Sequence, residues 1–147
     1  MMQKVCDSVL VQGAISSQFI ARNIAKLQAD LQIGAHDIFL GQIRADMIEG
    51  KEVVAIEYSA YPEMAIKLFN EIGEEGIKQF NLGSLIVCHS LGVVKTGEIC
   101  LLVIASAKHR KSVFEGLRYV VEEIKKKVPV FGKEIFEDNN YKWKVNN

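Results

Sequence analysis

SAKHRKSVFEGLRYVVEEIKKKVPVFGKE, residues Ser106–Glu134, concentrates basic and reactive side chains in one helical unit and its flanks. Val113, Phe114, Leu117, Val120, Val121 and Ile124 recur at helical spacing, which gives the helix a single apolar stripe. Pro129 holds Val128 extended and ends the helix near Lys127. At roughly 100° per residue, Lys125 falls on the border of the stripe, nearly in line with Phe114, Arg118 and Val121, while Lys126 points to water. A border lysine can keep its stem on the core and turn its amine into a cleft. The plainer alternative is a solvated run, because lysines at a helix C-terminus complement the macrodipole. His109 and Arg110 open the same helix.

Working outward, Val130–Phe136 reads as a strand, Asp138-Asn139-Asn140 as a turn and Tyr141–Val145 as a closing strand. Upstream, Ser84–His89 and Glu98–Ala105 are apolar strands joined through Gly92 and Gly97, as in a hairpin. Pro62 suits the first turn of a helix presenting Met64, Ala65, Leu68, Phe69, Ile72 and Phe80, although Gly73 and Gly76 weaken it. Glu52–Tyr58 is a strand, and Ala45–Lys51 before it is a polar, glycine-containing loop. Gly34–Arg44 is a strand whose two apolar faces predict a central position. Ser16 or Ser17 caps a helix reaching about Leu31, and Val5–Ile15 is the first strand. The order predicts an α+β fold, about three helices on a mostly antiparallel sheet, as a single domain over residues 1–147.

Composition excludes several classes. The 147 residues carry 18 basic and 18 acidic side chains, so no bulk basicity points to nucleic acid. No apolar run approaches the roughly 18 residues of a membrane span, and the N-terminus lacks a secretory pattern. Cys6, Cys88 and Cys100 are odd in number and far apart, which fits a reduced, cytoplasmic setting. His36, His89 and His109 do not pair with them at zinc-type spacing, so no metal site is expected, and no G-x-G-x-x-G or P-loop marks an organic cofactor. An anionic ligand must therefore be met by a local cluster. Arg44, His109 and Arg110 are the candidates, against the alternatives of a strand-end ion pair for Arg44 and local helix-start bonding for His109.

Five blocks carry a resemblance, in order: GAHDIFLGQIR (Gly34–Arg44), IEYSAYPEMA (Ile56–Ala65), the H-x-x-G…G-E run (His89–Glu98), ASAKHRKSVFE (Ala105–Glu115) and IKKKVPVFGKE (Ile124–Glu134). Together they resemble the large, catalytic subunit of molybdopterin synthase over nearly the whole chain from Ala14. The resemblance implies an α/β-hammerhead-like fold and sulfur transfer that converts cyclic pyranopterin monophosphate to the molybdopterin dithiolene. It implies a small ubiquitin-like partner with a C-terminal Gly-Gly thiocarboxylate, and a homodimer flanked by two such subunits as a heterotetramer. Lys125 takes the place of the catalytic lysine, an amine activated by nearby cations and partial desolvation. Arg44, His109 and Arg110 would form one pocket for the cyclic phosphate and the partner's tail, with Phe39 as a wall and Glu134 on the same side.

Two departures matter. The family carries a second lysine where this chain has Gly132, and commonly an arginine where it has Ser90. Lys133 is adjacent, but neighbouring strand residues face opposite sides, so it replaces the missing amine only through a bulge. Phe131 stands for the usual tryptophan. Installing lysine at position 132 is expected to leave the fold alone and raise the rate. The alternative function is a degenerate, non-catalytic homologue that binds the small subunit or the pterin.

Overall fold

A computed structural model describes residues 5–145; the extreme ends of the 1–147 span lie outside the described residues. The elements run β1 (Val5–Gln12), α1 (Ser17–Leu27), β2 (Ala35–Gln42), β3 (Met47–Ile48), β4 (Lys51–Ala60), α2 (Pro62–Phe80), β5 (Ser84–Lys95), β6 (Ile99–Ala107), α3 (Arg110–Lys127), β7 (Val130–Phe136) and β8 (Tyr141–Trp143). The expected α+β class holds: three helices accompany an eight-stranded sheet in which β1 with β5 is the one parallel pair among the described strands.

β5 organises the sheet. Its first half lies between β1 and β6, and its second half, from Gly92 to Lys95, turns to pair with β4. Two ladders therefore share one strand: β1-β5-β6-β2 and β5-β4-β7-β8. Alternation along β5 and β6 sends Leu85, Val87, Leu101 and Val103 to the core under α2 and α3. Ile86, Cys88, Leu102 and Ile104 go to the opposite face, beneath Phe19, Ile20, Ile24 and Leu27 of α1. Helices on both faces explain why these strands are apolar on both sides.

Local chemistry sets the helix ends. Ser16 accepts a 3.1 Å hydrogen bond from the Phe19 amide and caps α1. α1 stops at Leu27, earlier than the expected Leu31, which is exposed. Pro62 opens α2, and Asn81 closes it in the left-handed conformation, φ 54°. Val128 is extended ahead of Pro129 and ends α3 at Lys127, as expected.

Two expectations change. Among the described strands β2 pairs only with β6 and stands at an edge, not at the centre. Its apolar residues divide: Phe39 packs on the main core, while Ile38 and Leu40 lie on the face that α1 leaves uncovered, 37% and 43% exposed. Within the expected 45–51 loop, Met47 and Ile48 pair with Lys51 and Glu52 about a Glu49-Gly50 turn with both φ values positive.

Candidate active site

Lys125 stands on the last turn of α3, where the helix runs out against β7 and the end of β8. The stripe of α3 is as expected for Val113, Leu117, Val120 and Ile124, which are buried; Phe114 departs from it and is 57% exposed. Lys125 keeps much of its surface in contact with solvent, yet protein crowds its amine. Desolvation, then the positive charge of Lys144, lowers its pKa from the ordinary lysine value. Lys126 is exposed, and Lys127 pairs with Glu123 at 2.7 Å, four residues back on the helix.

A cavity of about 250 Å³ opens beside Lys125. It gathers four of the six expected site residues: Phe39 from β2, Arg44 just after it, Lys125 from α3 and Glu134 from β7. Arg44 is tethered to Asp46 at 3.3 Å and is largely exposed, so its guanidinium keeps donors for a ligand. A narrower recess of about 30 Å³ continues inward, bounded by Tyr58, His89, Lys125, Gly132 and Lys144.

His109 and Arg110 are not part of this cavity. They begin α3, and Lys125 follows His109 by 16 positions, or roughly 24 Å along the helix axis. The expected convergence of Arg44, His109 and Arg110 does not occur within one chain.

The inner wall holds Tyr58, Cys100 and His89, none of which the sequence marked as a site residue. Tyr58 donates to Cys100 Sγ at 3.5 Å, and Cys100 in turn donates to the Gly41 carbonyl at 3.4 Å. Burial raises the Tyr58 pKa well above its usual value, and Cys100 and Glu134 add to the effect, so the hydroxyl stays protonated. His89 is buried, its ring 4.9 Å edge-on from Tyr58 and stacked 6.4 Å from Phe69. Its Nδ1 lies 2.8 Å from the Ser90 carbonyl and must carry the proton to donate there. Burial, against the help of that hydrogen bond and with the Lys125 charge opposing protonation, pushes its pKa down to about 4. The imidazole is neutral at physiological pH.

Strand register explains the face each residue shows. Tyr58 is opposite Gly132 and Ile56 opposite Glu134 across the β4–β7 ladder, with no bulge at Gly132. Lys133 therefore faces away, as expected, pairing with Glu57 at 3.3 Å and lying 4.5 Å from the Tyr141 ring. A Cβ at position 132 would meet Ile56 Cγ2 at 3.1 Å and Tyr58 Cε1 at 3.2 Å. Both contacts are tight, so a side chain at position 132 requires Ile56 and Tyr58 to yield by a few tenths of an ångström. Ser90 is fully buried, with no hydrogen-bond partner for its hydroxyl among the described residues. Among those residues, no cluster of His, Cys, Asp and Glu could hold a metal ion.

This arrangement of a helix-end lysine, a strand-end arginine and a glutamate over a neutral tyrosine–histidine wall can be compared with known proteins. Residues 14–127 match the family described as "MoaE protein". The chain belongs to the MoaE family. Within it, the molybdopterin synthase catalytic subunit of Bacillus subtilis is 36% identical over 129 residues, covering 88% of this chain and 79% of that protein. The Drosophila virilis catalytic subunit is 35% identical over 125 residues, and the match takes in 84% of this chain but 36% of that longer protein. The crystal structure of molybdopterin synthase from Staphylococcus aureus superposes with a TM-score of 0.80 at 28% identity, over 92% of this chain and 95% of that one.

Proposed function

We propose that this chain is the catalytic subunit of a molybdopterin synthase, transferring sulfur from a thiocarboxylated small subunit to cyclic pyranopterin monophosphate. The observation that carries the reading is Lys125, an amine with a lowered pKa that lines both a wide cavity and a narrow recess. Such an amine is available as a base or nucleophile at a pH where an ordinary lysine is not. Arg44 offers a planar, always charged fork to a phosphate or thiocarboxylate. Glu134, across the same cavity, can pass protons with Lys125, and the inner wall of Tyr58 and His89 excludes water without adding charge. The small subunit's extended Gly-Gly tail is narrow enough to approach such a recess.

His109 and Arg110 enter this reading through a second copy of the chain. The Gly34 amide bonds to the Ala107 carbonyl, and Ala35 is opposite Ala107, so the start of α3 lies near the start of β2. Phe39 and Arg44 lie toward its other end. Two β2 edges paired antiparallel about a two-fold axis would set the start of one β2 beside the end of the other. That pairing delivers His109 and Arg110 of one copy to the Arg44 and Lys125 cavity of the next, and the homodimer with a small subunit at each end is a heterotetramer.

The second reading, a homologue that binds small subunit or pterin without turnover, is favoured by Gly132 and Ser90. One assay separates the two: purified protein mixed with thiocarboxylated small subunit and cyclic pyranopterin monophosphate. Molybdopterin formation is the expected result. A complex that forms but yields no product would leave the binding role in its place. No helix among the described residues is long and apolar enough to cross a membrane, and a reduced cytoplasm is the proposed setting for the three free thiols.

A further inference from the structure

Gly132 and Lys144 are neighbours across the last hairpin. The β7–β8 register places Lys133 opposite Trp143 and Glu134 opposite Lys142, and the Lys144 amide continues it with a 2.8 Å hydrogen bond to the Gly132 carbonyl. Alternation then puts the Lys144 side chain on the face of Gly132 and Glu134, away from Trp143. Lys144 lines both the open cavity and the narrow recess, each time together with Lys125. Position 132 offers no amine, and a side chain there would crowd Ile56 and Tyr58. The space beside it is reached from the opposite strand instead.

We infer that Lys144 supplies the second ammonium of this site, in place of residue 132, and binds the anionic group of the ligand next to Lys125. In the narrow recess the two cations converge with no carboxylate in the lining, and they repel each other until an anion joins them. In the open cavity two carboxylates line the wall with both lysines, Glu134 and Asp46, and Asp46 is engaged with Arg44. Tyr58, His89 and Cys100 are the other titratable groups at these walls. The charge of Lys144 is also one of the causes that lower the Lys125 pKa. One side chain thereby serves twice, holding the anion and keeping the neighbouring amine easier to deprotonate. The inference rests on the synthase reading only for the identity of the anion.

The test uses the full chain and inorganic phosphate as probe, with lysine side-chain signals followed by NMR, beside the product assay. Lys144→Met leaves the backbone bond to Gly132 in place, and far-ultraviolet circular dichroism checks that it folds. Phosphate is expected to shift both Lys125 and Lys144 in the wild type. Lys144→Met should weaken its binding roughly tenfold or more and raise the Lys125 pKa, as loss of a charge-assisted contact implies. Lys144→Arg should retain most of the binding, and Lys126→Met should change neither readout. Equal phosphate binding in wild type and Lys144→Met, or none in the wild type, overturns the inference. If the wild type makes product and Lys144→Met makes as much, the inference fails while the synthase reading stands. If phosphate binds through Lys144 but no product forms with either protein, the inference stands and the synthase reading falls.

Discussion

Lys125 and Lys126 are adjacent in sequence and opposite in prospect. The first borders two cavities and is partly desolvated; the second is exposed and lines neither. Lys125→Ala should reduce product formation by roughly 10²-fold or more, the loss usual for a group acting on developing charge, while Lys126→Ala retains it. Near-normal turnover of Lys125→Ala would end its catalytic assignment. His89 makes a separate prediction about pH. Its folded pKa of about 4 lies below the unfolded value of 6.5, so between them the unfolded chain binds the proton that the folded chain refuses. The stability that the neutral ring brings is complete above about pH 6.5 and is lost as pH falls towards 4, on the order of 3 kcal/mol in all. His89→Phe keeps a ring against Tyr58 and Phe69 and removes the titration. Urea midpoints across that window should fall less steeply for the variant than for the wild type; parallel curves would show that His89 does not couple to folding. The sequence offered no such signal, because burial on β5 under two aromatic rings is a tertiary property.

At the scale of elements, the helices and most strands were legible because capping and periodicity are local. Pro62, Pro129, Ser16 and the Asp138-Asn139-Asn140 turn each act through the residues beside them. The glycines of α2 were legible only in half. Helix propensity marks Gly73 and Gly76 as weak points, yet both are buried contact positions. A Cβ on Gly76 would meet Val120 Cγ2 of α3 at 2.8 Å, and one on Gly73 would collide with Cys6 Sγ of β1. Close approach of α2 to its neighbours therefore requires the glycines. Gly76→Ala gains about 1 kcal/mol of intrinsic helix preference and costs about 1–3 kcal/mol through overpacking. The net expectation is a lower melting temperature, measured by thermal unfolding. A higher one would mean that α2 and α3 part easily, which the buried Val120 argues against. β2 was misplaced because two apolar faces read as a central strand, whereas here Phe39 packs on the core and Ile38 and Leu40 stay partly exposed at an edge.

At the scale of the whole molecule, the proposed pairing of two copies through the edge of β2 decides how the site is built. Phe39, Arg44, Lys125 and Glu134 were legible as candidates and line one cavity, Phe39 and Glu134 from within their strands, Arg44 just past β2 and Lys125 from the last turn of α3. His109 and Arg110 were legible as candidates but not in their placement, because the rigid length of α3 holds them roughly 24 Å from Lys125. If both groups serve one reaction, the site is composite and each copy lends one end of α3 to the other. Mixing two inactive variants tests this directly. In a heterodimer of Lys125→Ala with Arg110→Ala, one of the two sites carries both substitutions and the other carries neither. Random exchange of subunits should therefore restore about a quarter of wild-type product formation from two proteins that are inactive alone. A site contained within one chain predicts no recovery at any ratio. Charge on the edge gives an independent arm: Ile38→Lys with Leu40→Lys places like charges across a paired β2 edge. Sedimentation should then report monomers, and product formation should fall although Lys125 is untouched. Monomers with full turnover would show that one chain suffices, and that His109 and Arg110 have no part in the Lys125 site.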